Sequence, residues 1–217
     1  MNTKQSNWFK IAALLCIIVC IADFIVLFVL GNYYPGYSHL RNTMSSLGAS
    51  ASPVSAILST WWIGIGIAFV FFGFQFRKAF DSNAKNVKIA SGLIVLYGLG
   101  EGIGSGIFKA DRIRGKMTNS FIMHDIAGGI GLIAALLLPL FMHKVILKKE
   151  NPLFYRLSWI VFITGIITML LFTIHFSSGE TNVIIHYKGL WQRLFLLNLY
   201  VYFIVISIIM YHRKSIV

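Results

Sequence analysis

The chain has 217 residues, of which 57% are hydrophobic and only 12% charged, with 19 Lys and Arg against 7 Asp and Glu and a mean hydropathy of +0.77. An ordinary soluble domain is about 25% charged, so this composition cannot cover a water-facing surface, and the excess apolar area requires lipid. Nucleic-acid binding is excluded despite the net charge of +12, because the cations stand in short clusters between apolar runs and not on one contiguous face.

The first apolar stretch follows Lys4 and Lys10 and runs from Ile11 to Leu30. A secretory h-region is about 7–15 residues and ends at a small-residue cleavage site; this run is longer and has no such site, so it reads as a retained first helix. Cys16 and Cys20 lie four apart within it. On one helix face in lipid they suit apolar packing better than a mutual disulfide or zinc chelation.

A helix crossing about 30 Å of hydrocarbon needs about 20 mostly apolar residues. Six segments qualify, at roughly 9–31, 53–76, 88–108, 120–142, 154–175 and 190–211. Ser52-Pro53 and Asn151-Pro152 place a capping side chain before a proline at the first helical position, and Thr118, Asn119 and Ser120 offer caps to the fourth helix. An outer-membrane barrel would show alternating strands of about ten residues, whereas these runs are continuous. The expected fold is therefore all-α: a polytopic membrane protein with a single transmembrane domain over residues 1–217, built as a six-helix bundle.

With the N-terminus inside, the inner segments carry 12 Lys and Arg and the outer ones 7. The positive-inside rule then puts both N- and C-termini on the cytoplasmic side. Loop 109–116 alone supplies four of the outer cations, Lys109, Arg112, Arg114 and Lys116. In this orientation His39, His124, His175 and His186 gather on the outer side, with Asp111, Asp125 and Glu180.

The loop after the first helix reads Tyr37-Ser38-His39-Leu40-Arg41-Asn42-Thr43-Met44-Ser45-Ser46-Leu47-Gly48-Ala49. Leu40, Met44 and Leu47 recur at i, i+4 and i+7, which predicts a short amphipathic interfacial helix over about 38–47. This segment resembles the signature of the domain-of-unknown-function 998 family of prokaryotic six-helix membrane proteins. Gly189-Leu190-Trp191-Gln192-Arg193 is similar to that family's Gly-x-x-Glu-Arg at the start of the last helix. This chain departs from the pattern at Ser46, where an acidic residue is expected, and at Gln192, where glutamate is expected. The resemblance implies the fold, the topology and a prokaryotic inner membrane, but no activity. A fainter likeness, to eukaryotic proteins of the Frag1/DRAM/Sfk1 group, rests on the same loop.

The third helix contains Gly98-Leu99-Gly100-Glu101-Gly102-Ile103-Gly104-Ser105-Gly106. A dinucleotide fingerprint would need a preceding strand. Gly100/Gly104 and Gly102/Gly106 have instead the small-xxx-small spacing of close helix contacts. Glu101 among them costs roughly 2.5–3.5 kcal/mol at such depth on insertion scales unless it is paired, protonated or facing a polar cavity. Asp23 in the first helix raises the same question.

Two readings follow. In one, an outward-facing polar pocket binds a membrane lipid or a small amphipathic ligand through His39, Arg41, Glu101, Lys109, Asp111, Asp125, His175, His186 and Arg193, with the first outer loop as a lid. In the other, the chain is a membrane-embedded hydrolase of the outer leaflet. Its serine version uses Ser45 as nucleophile with His124 and Glu101. Its metal version places zinc on His124, His175 and His186, although no pair has ligand spacing; haem on His124 and His175 has no motif at all. Interfacial histidines that only pack or meet headgroups are the third alternative.

Overall fold

The computed structural model describes residues 5–173 and 183–213. Its helices are α1 (Gln5–Asn32), α2 (Ser45–Gly48), α3 (Ser55–Ala79), α4 (Lys85–Tyr97), α5 (Ser105–Ile107), α6 (Asn119–Val145), α7 (Pro152–Thr173), α8 (Val183–His186) and α9 (Lys188–His212). A π-helical segment, Gly98–Gly104, joins α4 to α5 without a break. Six of the resulting rods are long and apolar enough to cross a membrane: Trp8–Asn32, Ser55–Ala79, Lys85–Ile107, Asn119–Val145, Pro152–Thr173 and Lys188–His212. The chain is a multi-pass membrane protein, as helices satisfy all their backbone groups internally where water is absent.

The caps explain several of the boundaries. The Asn151 side chain accepts from the Phe154 amide (2.9 Å), which leaves Pro152 at the first helical position of α7. Among the three candidates for α6, Thr118 is the cap and accepts from the Phe121 amide (3.1 Å). Ser52-Pro53 instead forms a turn, and α3 starts at Ser55.

Neighbouring rods pack as a closed ring in the order α1, α3, α4, α6, α7, α9, with α9 returning to α1. We call the end of the ring that carries the chain termini the terminal end and the opposite one the distal end. The terminal half is filled by buried Phe72, Phe76, Leu138, Met142, Tyr202 and Ile206. Ser158 of α7 and Tyr202 of α9 share a hydrogen bond of 2.8 Å there, so a polar pair at this depth is satisfied internally.

Two glycine ladders hold the third rod in place. Gly98, Gly102 and Gly106 face α3, while Gly100 and Gly104 face α6. A Cβ on Gly66 of α3 would lie 2.5 Å from the Gly98 carbonyl oxygen, and one on Gly131 of α6 would lie 2.5 Å from the Glu101 amide. Backbones therefore touch on both sides of the π-helical segment, which single-turn widening of a helix and the absence of side chains make compatible.

Two distal elements differ from the sequence expectation. Residues 38–47 are a series of turns that ends in the single helical turn α2, not one amphipathic helix. The Asn42 side chain takes the Ser38 amide (2.8 Å) and the Ser46 hydroxyl donates to the Thr43 carbonyl (2.7 Å), so local side-chain bonds replace the helical ladder. Loop 108–118 contains a small antiparallel hairpin, β1 (Arg112–Ile113) with β2 (Lys116–Met117). Its two-residue turn is Arg114-Gly115, both with positive φ (50° and 78°), the form that matches strand twist.

Gly64 and Gly66 lie two apart on α3, yet only Gly66 meets a neighbouring backbone, and Gly64 has nothing within 4 Å. Gly66→Ala should lose about 1–3 kcal/mol by overpacking, whereas Gly64→Ala should be neutral or slightly stabilising. Thermal denaturation of the two purified variants in detergent checks this; equal midpoints would remove the glycine contact as a structural requirement.

Candidate functional site

The distal half of the ring encloses a cavity of about 960 Å³. Exposed Arg112, Met117 and Asp125 stand at its mouth. It reaches down α9 from Lys188 to Tyr200, twelve residues or about 18 Å at 1.5 Å per residue. The middle walls are apolar, with Leu27, Ile65, Leu132, Met169, Phe172 and Leu196.

The floor is aromatic and polar together. Tyr97 and Phe69 meet edge to face (4.8 Å between centroids), and Tyr200 stacks over Phe69 at 6.2 Å. Asp23 of α1 is 2% exposed. One of its oxygens accepts from the Trp61 indole N–H and the other from the Tyr200 hydroxyl, both at 2.9 Å. A carboxyl at this depth is tolerable because both its oxygens are matched to donors.

Glu101 is matched less completely. It projects from the π-helical segment into the cavity, half-buried, and the Ser105 hydroxyl lies 3.5 Å from Oε2, at the outer limit of a hydrogen bond. Gly128 on α6 leaves its room, since a Cβ there would sit 2.9 Å from that same oxygen.

His124, one turn nearer the mouth on α6, bonds through Nδ1 to the Phe108 carbonyl (2.9 Å). A carbonyl can only accept, so Nδ1 carries the proton, and in the neutral ring Nε2 is then an acceptor. Ser45 also lines the cavity, its hydroxyl paired with that of Thr43 at 3.0 Å. Ser45, His124, Glu101 and Asp125 thus border one space, but no hydrogen bond joins Ser45 to His124 or to Glu101 among the described residues.

The other candidates lie elsewhere. Arg193 does not line the cavity. Its guanidinium donates to the carbonyls of Asn42 (3.1 Å) and Gly189 (3.0 Å), to the Tyr37 hydroxyl and to His39 Nδ1 (3.2 Å). Gln192 beside it accepts from the Met44 amide at 2.8 Å. Together these two side chains clasp loop 37–47 onto α9, so that Thr43, Met44, Ser45 and Ser46 form part of the cavity wall. An amide oxygen at Gln192 does here what a carboxylate oxygen would do, without adding charge.

Lys109 donates to the Ser55 carbonyl (3.3 Å), to the Ser55 hydroxyl (2.9 Å) and to the Ser59 hydroxyl. Asp111 accepts from the amide and the hydroxyl of Ser50, both at 2.7 Å. Both therefore tie the start of α3 and its preceding turn to loop 108–118. Arg41 is exposed, and His186 packs edge to face on Tyr187 at 4.9 Å. His175 and Glu180 lie outside the described residues. Among the described residues no three His, Cys, Asp or Glu side chains gather as a metal site.

The aromatic floor escaped the sequence reading, as did Lys188 at the mouth, whereas Arg112 beside it belongs to the cation-rich loop 109–116 already noted. Tyr97 and Tyr200, hydroxyl-bearing side chains in mid-helix, were the available signal.

A family model described as "Protein of unknown function (DUF998)" matches residues 12–209. No curated protein and no solved structure matches the chain.

The clasp also carries a pH dependence. Burial, and then the adjacent Arg193 guanidinium, hold the His39 imidazole below its ordinary 6.5, against an opposing pull from the Phe28 backbone. A base with a lowered folded value stabilises fully above about 6.5 and loses that contribution as pH falls through the folded value. The thermal midpoint should therefore drop on acidification below about pH 6.5, and less steeply in His39→Gln, whose side-chain oxygen still accepts from Arg193. Parallel pH profiles for the two proteins would remove His39 from the clasp.

Proposed function

The chain belongs to the domain-of-unknown-function 998 family, and we propose that its distal cavity is the binding site for a lipid or other small amphipathic molecule. The observation that carries this reading is the cavity itself: about 960 Å³, apolar along its middle walls and polar at both its mouth and its floor. Ligand sites are usually 300–1,000 Å³, mostly apolar, with a few placed polar groups. The terminal half, filled by buried Phe72, Phe76, Leu138, Met142, Tyr202 and Ile206, favours binding over passage.

The distal end is taken as the outer face and both termini as cytoplasmic, in the inner membrane of a prokaryote. The 12-to-7 distribution of Lys and Arg supports this orientation. The clasped loop 37–47 acts as the wall that a ligand would pass or displace.

Hydrolysis is the second reading, favoured by the shared space that Ser45, His124 and Glu101 border. It ranks lower because the serine hydroxyl is paired with Thr43 and not with a base. Turnover of a lipid ester that disappears in both Ser45→Ala and His124→Gln would reverse the ranking.

Gly129 lines the cavity, and a Cβ on it would meet nothing within 4 Å. Gly129→Trp should therefore fill the space without disturbing the ring. A single-chain amphiphile should stabilise the native protein, by about 2.7 kcal/mol at a hundredfold excess over Kd, and should do nothing for Gly129→Trp. Identical shifts in the two proteins would sink the cavity as the site.

Orientation has its own check. Ser46→Cys should react with a membrane-impermeant maleimide added outside intact cells, and labelling only after lysis would invert the assignment.

A further inference from the structure

We propose that the cavity takes its ligand amine-first, seating an ammonium group against Glu101. The inference rests on the amphiphile-binding reading and names the chemistry of the polar end.

The two carboxyls inside the bundle are not equivalent. Asp23 has each oxygen bonded to a donor of the protein, from Trp61 and from Tyr200. Among the described residues Glu101 has only the Ser105 hydroxyl, at 3.5 Å. Its carboxyl therefore faces the cavity with acceptor capacity that the described residues leave unused. An acceptor inside the bundle calls for a donor, from water or from a ligand. The wall across from it is made of backbone: Gly128 yields the space that Glu101 and Ser105 occupy, and next to it Gly129 opens onto unfilled volume. There is room for a ligand group to reach this carboxyl.

The surroundings select for a cation. Trp62, Phe69, Tyr97 and Tyr200 line the same cavity, and the faces of aromatic rings attract ammonium groups. The lining holds three acids, Asp23, Glu101 and Asp125, against two bases, Arg112 and Lys188. The charges are also layered. Lys188 lies close enough to Arg112 and Asp125 to feel both charges, and it begins α9. Glu101 packs beside Gly128, three residues deeper on α6 than Asp125, or about 4.5 Å. The two bases thus stand at the mouth, and the Glu101 carboxyl lies deeper. An anionic head finds its partners at the mouth, an ammonium finds its partner at Glu101, and a zwitterion with its ammonium foremost meets both layers. A bare metal ion is a poor fit, as no three-ligand cluster exists among the described residues and the remaining walls are apolar.

The test uses the full-length chain, purified in a nonionic detergent, and four probes of equal chain length. These are dodecylamine, dodecyltrimethylammonium, dodecanoate and monododecanoyl glycerol. Each is titrated while the thermal midpoint is followed. The two ammonium probes should bind more tightly than the carboxylate and the neutral glyceride. Glu101→Gln should weaken the ammonium probes about tenfold or more, the size of a lost charge-assisted hydrogen bond, and leave the glyceride unchanged. Asp23→Asn, which disturbs an already bonded carboxyl, should lower the midpoint of the free protein but keep the ammonium preference.

Equal or tighter binding of dodecanoate to the native chain overturns the inference. So does an ammonium preference that survives in Glu101→Gln. In either case the glyceride still stabilises, and the amphiphile site stands. If no probe of any charge stabilises the native chain, the amphiphile reading itself fails.

Discussion

Gly66 of α3 meets Gly98 and Gly102 backbone to backbone, and on the opposite side Gly100 meets Gly131 of α6. Lipid supplies no hydrophobic drive between helices, so contacts in a membrane are held by close packing and by bonds between polar groups. Two glycine ladders on one rod bring three backbones together where larger side chains would hold them apart. The π-helical stretch Gly98–Gly104 lies in the same place and carries Glu101 among its glycines. Packing and chemistry are therefore set by one segment: it closes the ring, and it presents an acid to the enclosed space.

Depth decides how each polar group is treated. At the terminal half Ser158 and Tyr202 satisfy one another inside a filled core. At mid-depth Asp23 is fully matched by Trp61 and Tyr200. Near the distal end Gln192 bonds the backbone of loop 37–47, and Arg193 bonds both its backbone and its side chains. Lys109 and Asp111 likewise hold the start of α3 and the turn before it. Glu101 stands apart from this pattern, as an acid in a cavity with a single distant partner among the described residues. Residues that read alike in sequence, charged and distal, thus divide into those that build the wall and those that face the space.

Much of the architecture was legible because its cause is local. Continuous apolar runs specify spanning helices, Asn151-Pro152 and Thr118 mark helix starts, and the spacing of Gly100/Gly104 and Gly102/Gly106 marks close faces. Loop 38–47 misled for the same reason. Leu40, Met44 and Leu47 have helical spacing, but Asn42 and Ser46 bond to nearby backbone and Gln192, 148 residues away from Met44, takes its amide. A periodicity argument cannot see a competing acceptor on another helix. The turn at Arg114-Gly115 passed unnoticed because a two-residue strand has no periodicity to show.

The amino-acid sequence by itself determined the membrane, the six spans and the segments that must approach closely, since hydropathy and side-chain size act along one helix at a time. It also flagged Glu101 and Asp23, as an acid in an apolar run has an insertion cost wherever it ends up. Only the tertiary structure decided that Asp23 is matched and Glu101 is not. Partners such as Trp61, Tyr200 and Ser105 belong to rods whose rotation and depth are set by the packing of the whole ring. The same packing made Arg193 a clasp and placed Ser45, His124 and Glu101 around one cavity, because convergence in space depends on how helices are arranged about a common centre.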